Sequence, residues 1–328
     1  MKNIFEKNRI FLLIFTAAIY GFLALCGCGS DNTTGPVTDR VIGAYPLALG
    51  NTWEYTITMS IFVHEDTTKP PISLSTTGRQ VVEIKRTEMI TGDEAFGVTY
   101  RQDMGRLFDP VGRDTTIETQ YLARRGDKVL LKAIEGIYST GGFIPLASTP
   151  GEKKFGIRMK IGGVERFITL ENLARLLLNS AGAAFFSLQN GSLQLSSDGV
   201  QNKDNVFFYD KDYIFVFNEL FKGKRWTSVE AQSVGGLEIA QKVTNILPEL
   251  SGINGPIAEV EVNNKLIEAA SSLQYKQRYY YKGGVGIVQA EIYDPEQTIA
   301  EIMPDGSIVF LGVGTWSVVK KLETYSIK

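Results

Sequence analysis

Apolar and polar residues alternate with a period of two in the region 52–59, where the chain first shows a clear pattern. The side chains on one face of this region are large and apolar, and those between them are Thr or Glu. The apolar positions are Trp53, Tyr55, Ile57 and Met59. This alternation of aromatic and β-branched residues with polar ones predicts a half-buried β-strand. Residues 79–86 show the same period and predict a second strand.

Further short β-rich stretches predict strand after strand along most of the remaining chain. These stretches are residues 95–101, 115–123, 128–134, 192–195, 206–209, 213–217, 237–246, 257–262, 273–282, 308–313 and 316–327. Residues 67–77 and 104–113, rich in Ser, Thr, Gly, Pro or Asp, predict loops. The chain is therefore predicted to be mainly β and antiparallel. It forms either a strongly curved sheet or two packed β-units.

The two-unit alternative comes from a short internal similarity. Gly50 stands three residues before Trp53, and Gly223 stands three residues before Trp226, each ahead of a predicted strand. A division near residues 190–220 would separate the two units. Both Trp residues are predicted to be core residues and not ligand platforms, because each begins a strand directly after a turn.

One segment near residues 169–188 departs from the β pattern. Thr169 can cap the amino end of a helix, and Leu170, Leu173, Ala174, Leu177 and Leu178 follow at helical spacing. The simpler interpretation is a helix that packs across a sheet. The alternative is a lid over an apolar ligand. The surface that would contact the ligand comprises Leu173, Leu177, Phe185 and Phe186.

The first 27 residues have the layout of an export signal. Lys2, Lys7 and Arg9 precede an apolar stretch at residues 10–25, which is short for a membrane-spanning helix. The stretch ends at Leu25-Cys26-Gly27-Cys28. A metal or redox pair of Cys26 and Cys28 is disfavoured, because the chain has no other cysteine and a single histidine, His64.

This four-residue sequence resembles the lipobox of bacterial lipoproteins. The resemblance implies cleavage between Gly27 and Cys28, and a diacylglycerol anchor on the Cys28 sulfur. Residues 28–43 would then be a flexible tether, and residues 44–328 a β-rich envelope domain. Gly29, which follows the modified cysteine, implies transport to the outer membrane rather than retention at the inner one if the source has two membranes.

The start of the envelope domain carries a second resemblance. Tyr45-Pro46-Leu47, Gly50-Asn51, Trp53 and Tyr55 match the "YPL..GN.W.Y" opening of a broad group of uncharacterised bacterial envelope lipoproteins. In that group the motif begins the β-domain, and the resemblance implies no catalytic role for it.

Charge and motif content disfavour several classes of function. The formal net charge is −2 and becomes −4 without the signal, so no nucleic-acid partner is expected. No catalytic motif is present, and no cofactor or metal is expected. Asp204, Asp210 and Asp212 could approach a calcium ion but lack the EF-hand spacing, and a solvated turn is the simpler interpretation. A pair of carboxylates that act as in glycosidases stays open, because spacing along the chain singles out no pair.

Three hypotheses about function follow. The first is a non-enzymatic, membrane-anchored lipoprotein that binds an apolar ligand, such as a lipid, or an envelope protein. The second is a structural or surface-exposed lipoprotein without ligand, and the third is a hydrolase of envelope polymers. A cavity lined by residues 173–186 would favour the first, a filled core the second, and a cleft with two facing carboxylates the third.

Overall fold

The structure is a computed structural model of the chain. It describes residues 39–64, 71–105, 113–136, 154–161, 164–169, 186–189, 192–195, 199–201, 206–229, 237–267, 272–303 and 307–328. These residues contain no α-helix. Within them, no helix has the length and apolar character that crossing a membrane requires.

Antiparallel β-strands form almost all of the described structure. The strands are β1 Arg40–Ile42, β2 Thr52–His64, β3 Ile72–Ile90, β4 Asp93–Gly105, β5 Arg113–Arg125, β6 Lys128–Gly136, β7 Lys154–Ile161, β8 Val164–Thr169, β9 Phe186–Gln189, β10 Ser192–Leu195, β11 Gly199–Gln201, β12 Val206–Phe217, β13 Glu219–Phe221, β14 Arg225–Val229, β15 Leu237–Leu250, β16 Ile253–Ile267, β17 Ser272–Lys282, β18 Gly286–Ile302 and β19 Ile308–Ser326. The mainly β, antiparallel prediction is therefore confirmed.

Most strands belong to one continuous sheet. Its order is β11-β12-β6-β5-β4-β3-β2-β19-β18-β17-β16-β15-β14, with β7 and β8 added beside β18. Two further pairs, β1 with β13 and β9 with β10, form small sheets of their own. The two halves predicted from the Gly50 and Gly223 similarity thus share one sheet, because β2 pairs with β19 along thirteen register positions.

The sheet curls until it is nearly closed and barrel-like. Near the two ends of the sheet, side chains of β14 and β15 form hydrogen bonds to β12. The Ser228 hydroxyl donates to the Ile214 carbonyl at 2.6 Å, and the Gln241 amide donates to the Phe215 carbonyl at 3.2 Å. These donors form hydrogen bonds with backbone carbonyls of β12 that would otherwise need a neighbouring strand as their partner.

The alternating pattern determines which residues of β2 enter the core. Trp53, Tyr55, Ile57 and Met59 are at most 4% exposed, and the residues between them are partly exposed. Trp226 is also buried, at 7% exposure. The prediction that both Trp residues belong to the core is confirmed.

Some predicted loops and boundaries are wrong. Residues 72–77, predicted as loop, form the start of β3 and pair with β2. The two strands predicted at 206–209 and 213–217 are a single strand with an irregularity between Phe208 and Tyr213. Asp212 therefore lies in a strand and not in a turn. Of the segment predicted as helical, residues 186–188 form part of β9, Thr169 ends β8, and residues 170–185 lie outside the described residues.

The strand directions give the sheet two unlike ends. One end, here the turn end, carries the short connections Thr91–Gly92, Gly126–Asp127, Ser251–Gly252 and Gly283–Val285. It also carries the first described residue, Asp39, and the final residue, Lys328. The opposite end, here the loop end, carries the connections that follow β2, β4, β6, β14, β16 and β18. Thr91 and Ser251 have positive φ angles of 47° and 53°, each followed by a Gly with positive φ, as a tight two-residue hairpin requires.

The similarity between Gly50 and Gly223 extends to their hydrogen bonds. The Gly50 amide donates to the Ile84 carbonyl, and the Ile84 amide donates back to the Asn51 carbonyl. The Gly223 amide and the Lys224 carbonyl form the same two bonds with Val243. Both glycines have positive φ, and an irregularity in strand pairing follows both Ile84 and Val243. The same turn geometry therefore starts β2 and β14.

Two inward-facing side chains of β2 reach across β19 to the start of β18 and the turn before it. The Trp53 indole donates to the Val285 carbonyl at 2.5 Å, and the Tyr55 hydroxyl donates to the Ile287 carbonyl at 2.8 Å. The pairing of β18 with β19 starts only at Gln289. Trp53 and Tyr55 therefore supply donors to carbonyls that lie beyond that pairing.

The Trp53 hydrogen bond should be measurable in the free energy of unfolding. Trp53→Phe removes the donor to Val285 and some volume, whereas Trp316→Phe removes similar volume from a side chain that is equally buried. The Trp316 indole nitrogen has no hydrogen-bond partner among the described residues. Because a buried group that loses its partner costs about 1–3 kcal/mol, urea unfolding should show Trp53→Phe to be less stable than Trp316→Phe by that amount. Equal losses would show that the bond contributes nothing.

Candidate functional site

Residues 39–50, here the closing segment, run across the turn end of the sheet. The segment begins where β1 pairs with β13, and the Gly284 amide then donates to the Gly43 carbonyl at 2.9 Å. It is followed by Asn51, whose side chain donates to the Pro46 carbonyl and accepts from the Lys328 backbone amide. The closing segment is therefore held by hydrogen bonds to several strands around the sheet.

The inner face of the closing segment belongs to the core. Its buried residues are Val41, Ala44, Tyr45 and Leu47. The Tyr45 ring lies 6.0 Å from that of Trp53 and 5.2 Å from that of Phe215. Its hydroxyl lies 3.2 Å from the Tyr100 hydroxyl, and burial raises the pKa of Tyr45 to about 12. These contacts make the "YPL" residues a cover for the core.

The outer face of the turn end exposes apolar residues beside basic ones. Ile42 is 62% exposed, Leu49 is 49% exposed and Phe221 is 42% exposed. Exposed basic residues of the same end are Lys222, Arg225 and Lys328. Arg40 lies there too, paired with Glu219 at 3.0 Å. We call Ile42, Leu49 and Phe221, with Lys222, Arg225 and Lys328, the turn-end patch.

A second exposed apolar group lies at the loop end, where β2 and β18 end and β3 and β19 begin. Its members, here the loop-end patch, are Phe62, Ile72, Ile308, Val309 and Val313, each 37–46% exposed. The rings of Phe62 and His64 are stacked with centroids 5.8 Å apart. His64 lies beside Val313 in the pairing of β2 with β19, so it belongs to this surface and not to a buried triad.

The interior of the sheet is filled and contains several polar side chains. Trp53, Trp316, Tyr279 and Tyr281 are less than 2% exposed. The polar residues there include Gln80, Gln102, Glu118, Gln120 and Lys320.

Lys320 is the buried cation of this interior. Its ammonium donates to the Gln80 side-chain oxygen at 3.3 Å, and the Gln80 amide donates to Gln102 at 3.1 Å. The ammonium also lies 4.8 Å from the centre of the Tyr55 ring. Removal from water disfavours the charged form, so burial lowers the pKa of Lys320 to about 7.

On the outer wall, Asp212 belongs to an ion-pair network and does not form a calcium loop. The Lys132 ammonium lies 2.7 Å from Asp212 and 3.1 Å from Asp93, and Arg125 bonds both carboxylates. The hydrogen bond from Arg125, followed by that from Lys132, lowers the pKa of Asp93. Within the described part of the chain, no group of three or more His, Cys, Asp or Glu residues could hold a metal ion.

The site residues predicted from the sequence are not brought together by the described structure. Gly27, Cys28, Leu173, Leu177 and Phe185 lie outside the described residues. Phe186 begins β9, where its backbone pairs with Leu195. The turn-end and loop-end patches were not predicted from the sequence. Their signal was weak, because Ile42 and Leu49 stand in short apolar groups that also contain buried members.

Comparison with known proteins identifies no family. No family model matches the chain, and no curated protein matches it. Two solved structures are similar. One is a protein from Bacteroides fragilis inferred to be exported, with a YmcC-like fold, at 8% identity over 87% of this chain and 99% of that chain, with a TM-score of 0.25. The other is a protein from Parabacteroides distasonis inferred to be a lipoprotein, at 14% identity over 86% and 99%, with a TM-score of 0.30. At these TM-scores neither structure carries an inference about this chain.

The lowered pKa of Lys320 predicts how stability depends on pH. The unfolded lysine titrates near pH 10.4, so between about pH 7 and pH 9.5 the unfolded chain binds a proton that the folded chain has mostly released. Stability should therefore rise with pH in this window, by up to about 1.4 kcal/mol per pH unit. Burial raises the pKa of Tyr55 well above its ordinary value, so Tyr55 does not titrate there.

The measurement is urea unfolding at several pH values. Lys320→Met should abolish the slope, and Lys321→Met, at the exposed neighbouring position, should retain it. If the free energy of unfolding of Lys320→Met still rises with pH in this window, groups other than Lys320 cause the dependence.

Proposed function

We propose that this protein is a non-enzymatic lipoprotein of the cell envelope, anchored through Cys28, that binds a partner protein at its loop end. The observation that carries the proposal is the arrangement of the connections. Asp39, which lies within the predicted tether, is at the turn end with the tight turns, and the strand ends that are joined by four or more residues lie at the opposite end. Binding residues are commonly found on such loops, held in place by a rigid scaffold.

The distribution of exposed apolar side chains supports a binding surface at the loop end. Within the described residues, Phe62, Ile72 and Val313 are exposed apolar residues where β2, β3 and β19 meet, and Ile308 and Val309 are exposed where β19 begins beside the end of β18. Scattered apolar residues need no explanation, but a group of them at one place is typical of protein contacts.

The filled interior favours a protein partner over an apolar ligand held inside the sheet. Trp53, Trp316, Tyr279 and Tyr281 are large side chains buried inside the sheet, where a carrier would need space for its cargo. The lid hypothesis for Leu173, Leu177, Phe185 and Phe186 stays a prediction. The Gly29 position supports the outer membrane as the location of the anchor in a bacterium with two membranes.

The anchor is tested by metabolic labelling with radioactive palmitate. Wild-type protein should incorporate the label and float with membranes, and Cys28→Ala should do neither. The control is Cys26→Ala, which should still be labelled because Cys26 lies in the predicted signal. Labelling that persists in Cys28→Ala and disappears in Cys26→Ala would show that Cys26, and not Cys28, is the modified residue.

The partner surface is tested by photo-crosslinking in cells with a reactive residue at Val309 or, as a matched control, at Leu49. These positions are 44% and 49% exposed, at opposite ends of the sheet. We expect a discrete protein adduct from position 309 and none from position 49. Phe62→Ser with Val313→Ser should weaken the adduct at least tenfold, while changing thermal stability little because both side chains are exposed. The same adducts from both ends, or none from position 309, would contradict the proposal.

A further inference from the structure

The turn end carries apolar and basic residues at the place where the chain leaves toward Cys28. Ile42 is the last residue of β1, and Phe221 is the last residue of β13, the strand that pairs with β1. Leu49 stands at the other end of the closing segment, next to Gly50, whose backbone lies against the Lys328 side chain. All three are large apolar side chains that the folded domain leaves more than 40% exposed.

Basic side chains accompany these apolar ones. Lys222 and Arg225 flank the Gly223 turn that follows Phe221, and Lys328 accompanies Leu49. Lys224 belongs to the same turn but lies over the Phe217 ring, 3.9 Å from its centre, and burial lowers its pKa. The nearby carboxylate of Glu219 is paired with Arg40. Exposed cations interleaved with exposed apolar side chains match an anionic lipid surface.

The length of chain before Asp39 limits what this surface can contact. Ten residues lie between Cys28 and Asp39, so eleven residue-to-residue steps join them. A random-coil chain of that length spans on average about 18 Å and at most about 40 Å. Strand β18 has 17 residues, which correspond to about 55 Å along the strand. The turn end is therefore the part of the domain that a lipid on Cys28 holds next to the membrane.

We infer that the turn-end patch binds the surface of the membrane that holds the lipid anchor. Ile42, Leu49 and Phe221 enter the interfacial layer, and Lys222, Arg225 and Lys328 lie against anionic headgroups. This inference rests on the proposed anchor at Cys28. It gives the domain a fixed orientation, with the loop end directed away from the membrane.

The test uses the lipidated full-length mature protein in vesicles that contain anionic phosphatidylglycerol and lipids with a spin-label quencher. An environment-sensitive fluorophore is attached at Leu49→Cys or, as a matched control, at Val313→Cys. The two positions are 49% and 46% exposed at opposite ends. Cys26 leaves with the signal and Cys28 carries the lipid, so each variant has one reactive thiol. We expect lipid quenching of at least half of the emission at position 49 and almost none at position 313.

A second variant tests the basic residues. Lys222→Glu with Arg225→Glu, combined with the label at position 49, should reduce quenching at least twofold, and the protein should still float with the vesicles because the lipid remains. Flotation without quenching at position 49, or equal quenching at both positions, would overturn the membrane contact and leave the anchor standing. Loss of flotation from the lipid-modified sample would instead overturn the anchor itself.

Discussion

The hydrogen bonds from Trp53 and Tyr55 to β18 determine how the turn end is built. Backbone carbonyls that are buried without a partner are costly, and those of Val285 and Ile287 lie beyond the pairing of β18 with β19. Two side chains of one strand, at positions of the same face, satisfy both. Their position in turn fixes Tyr45, which packs on Trp53, and with it the closing segment. The position of the closing segment thus depends on an indole and a phenol inside the sheet.

The same requirement for satisfied backbone groups explains the way the sheet closes. A closed ladder between β12 and β14 would need matching strands, but β14 has five residues and β12 has twelve. Ser228 and Gln241 reach the β12 carbonyls instead. These side chains are polar and buried, so they form their hydrogen bonds in only one strand register. A shift of that register by one residue would turn them toward solvent. The seam is therefore closed by specific residues and not by backbone pairing alone.

The sequence predicts the strands well where alternation is regular and poorly where the interior is polar. In β2 every inward residue is apolar, and its pattern is readable without a structure. Gln80, Gln102 and Lys320 also face inward, but a polar residue at such a position is indistinguishable from a surface residue by period alone. Residues 72–77 are rich in Ser and Thr and suggest a loop, yet pairing with β2 makes them a strand, because tertiary context overrides weak local preference.

The candidate surfaces depend on even less local information. Leu47 and Leu49 are two residues apart, yet one is 7% exposed and the other 49% exposed. What separates them is the course of the closing segment over the sheet, which no local period encodes. The lipid anchor proposed at Cys28 is the opposite case. Its signal is a short motif at Cys28 that sequence reading finds directly and that owes nothing to the fold.

The two ends of the sheet differ in how much change their backbone can accept. Thr91-Gly92 and Ser251-Gly252 occupy turns with two successive positive φ angles, so an insertion there would break the hairpin register. The strand ends at the loop end are joined by four or more residues, and longer loops accept insertions at small cost in free energy. If the domain is held at the membrane by its turn end, as we propose, the opposite end can therefore vary without disturbing the core. This is the arrangement expected if the anchor and the partner surface have separate functions.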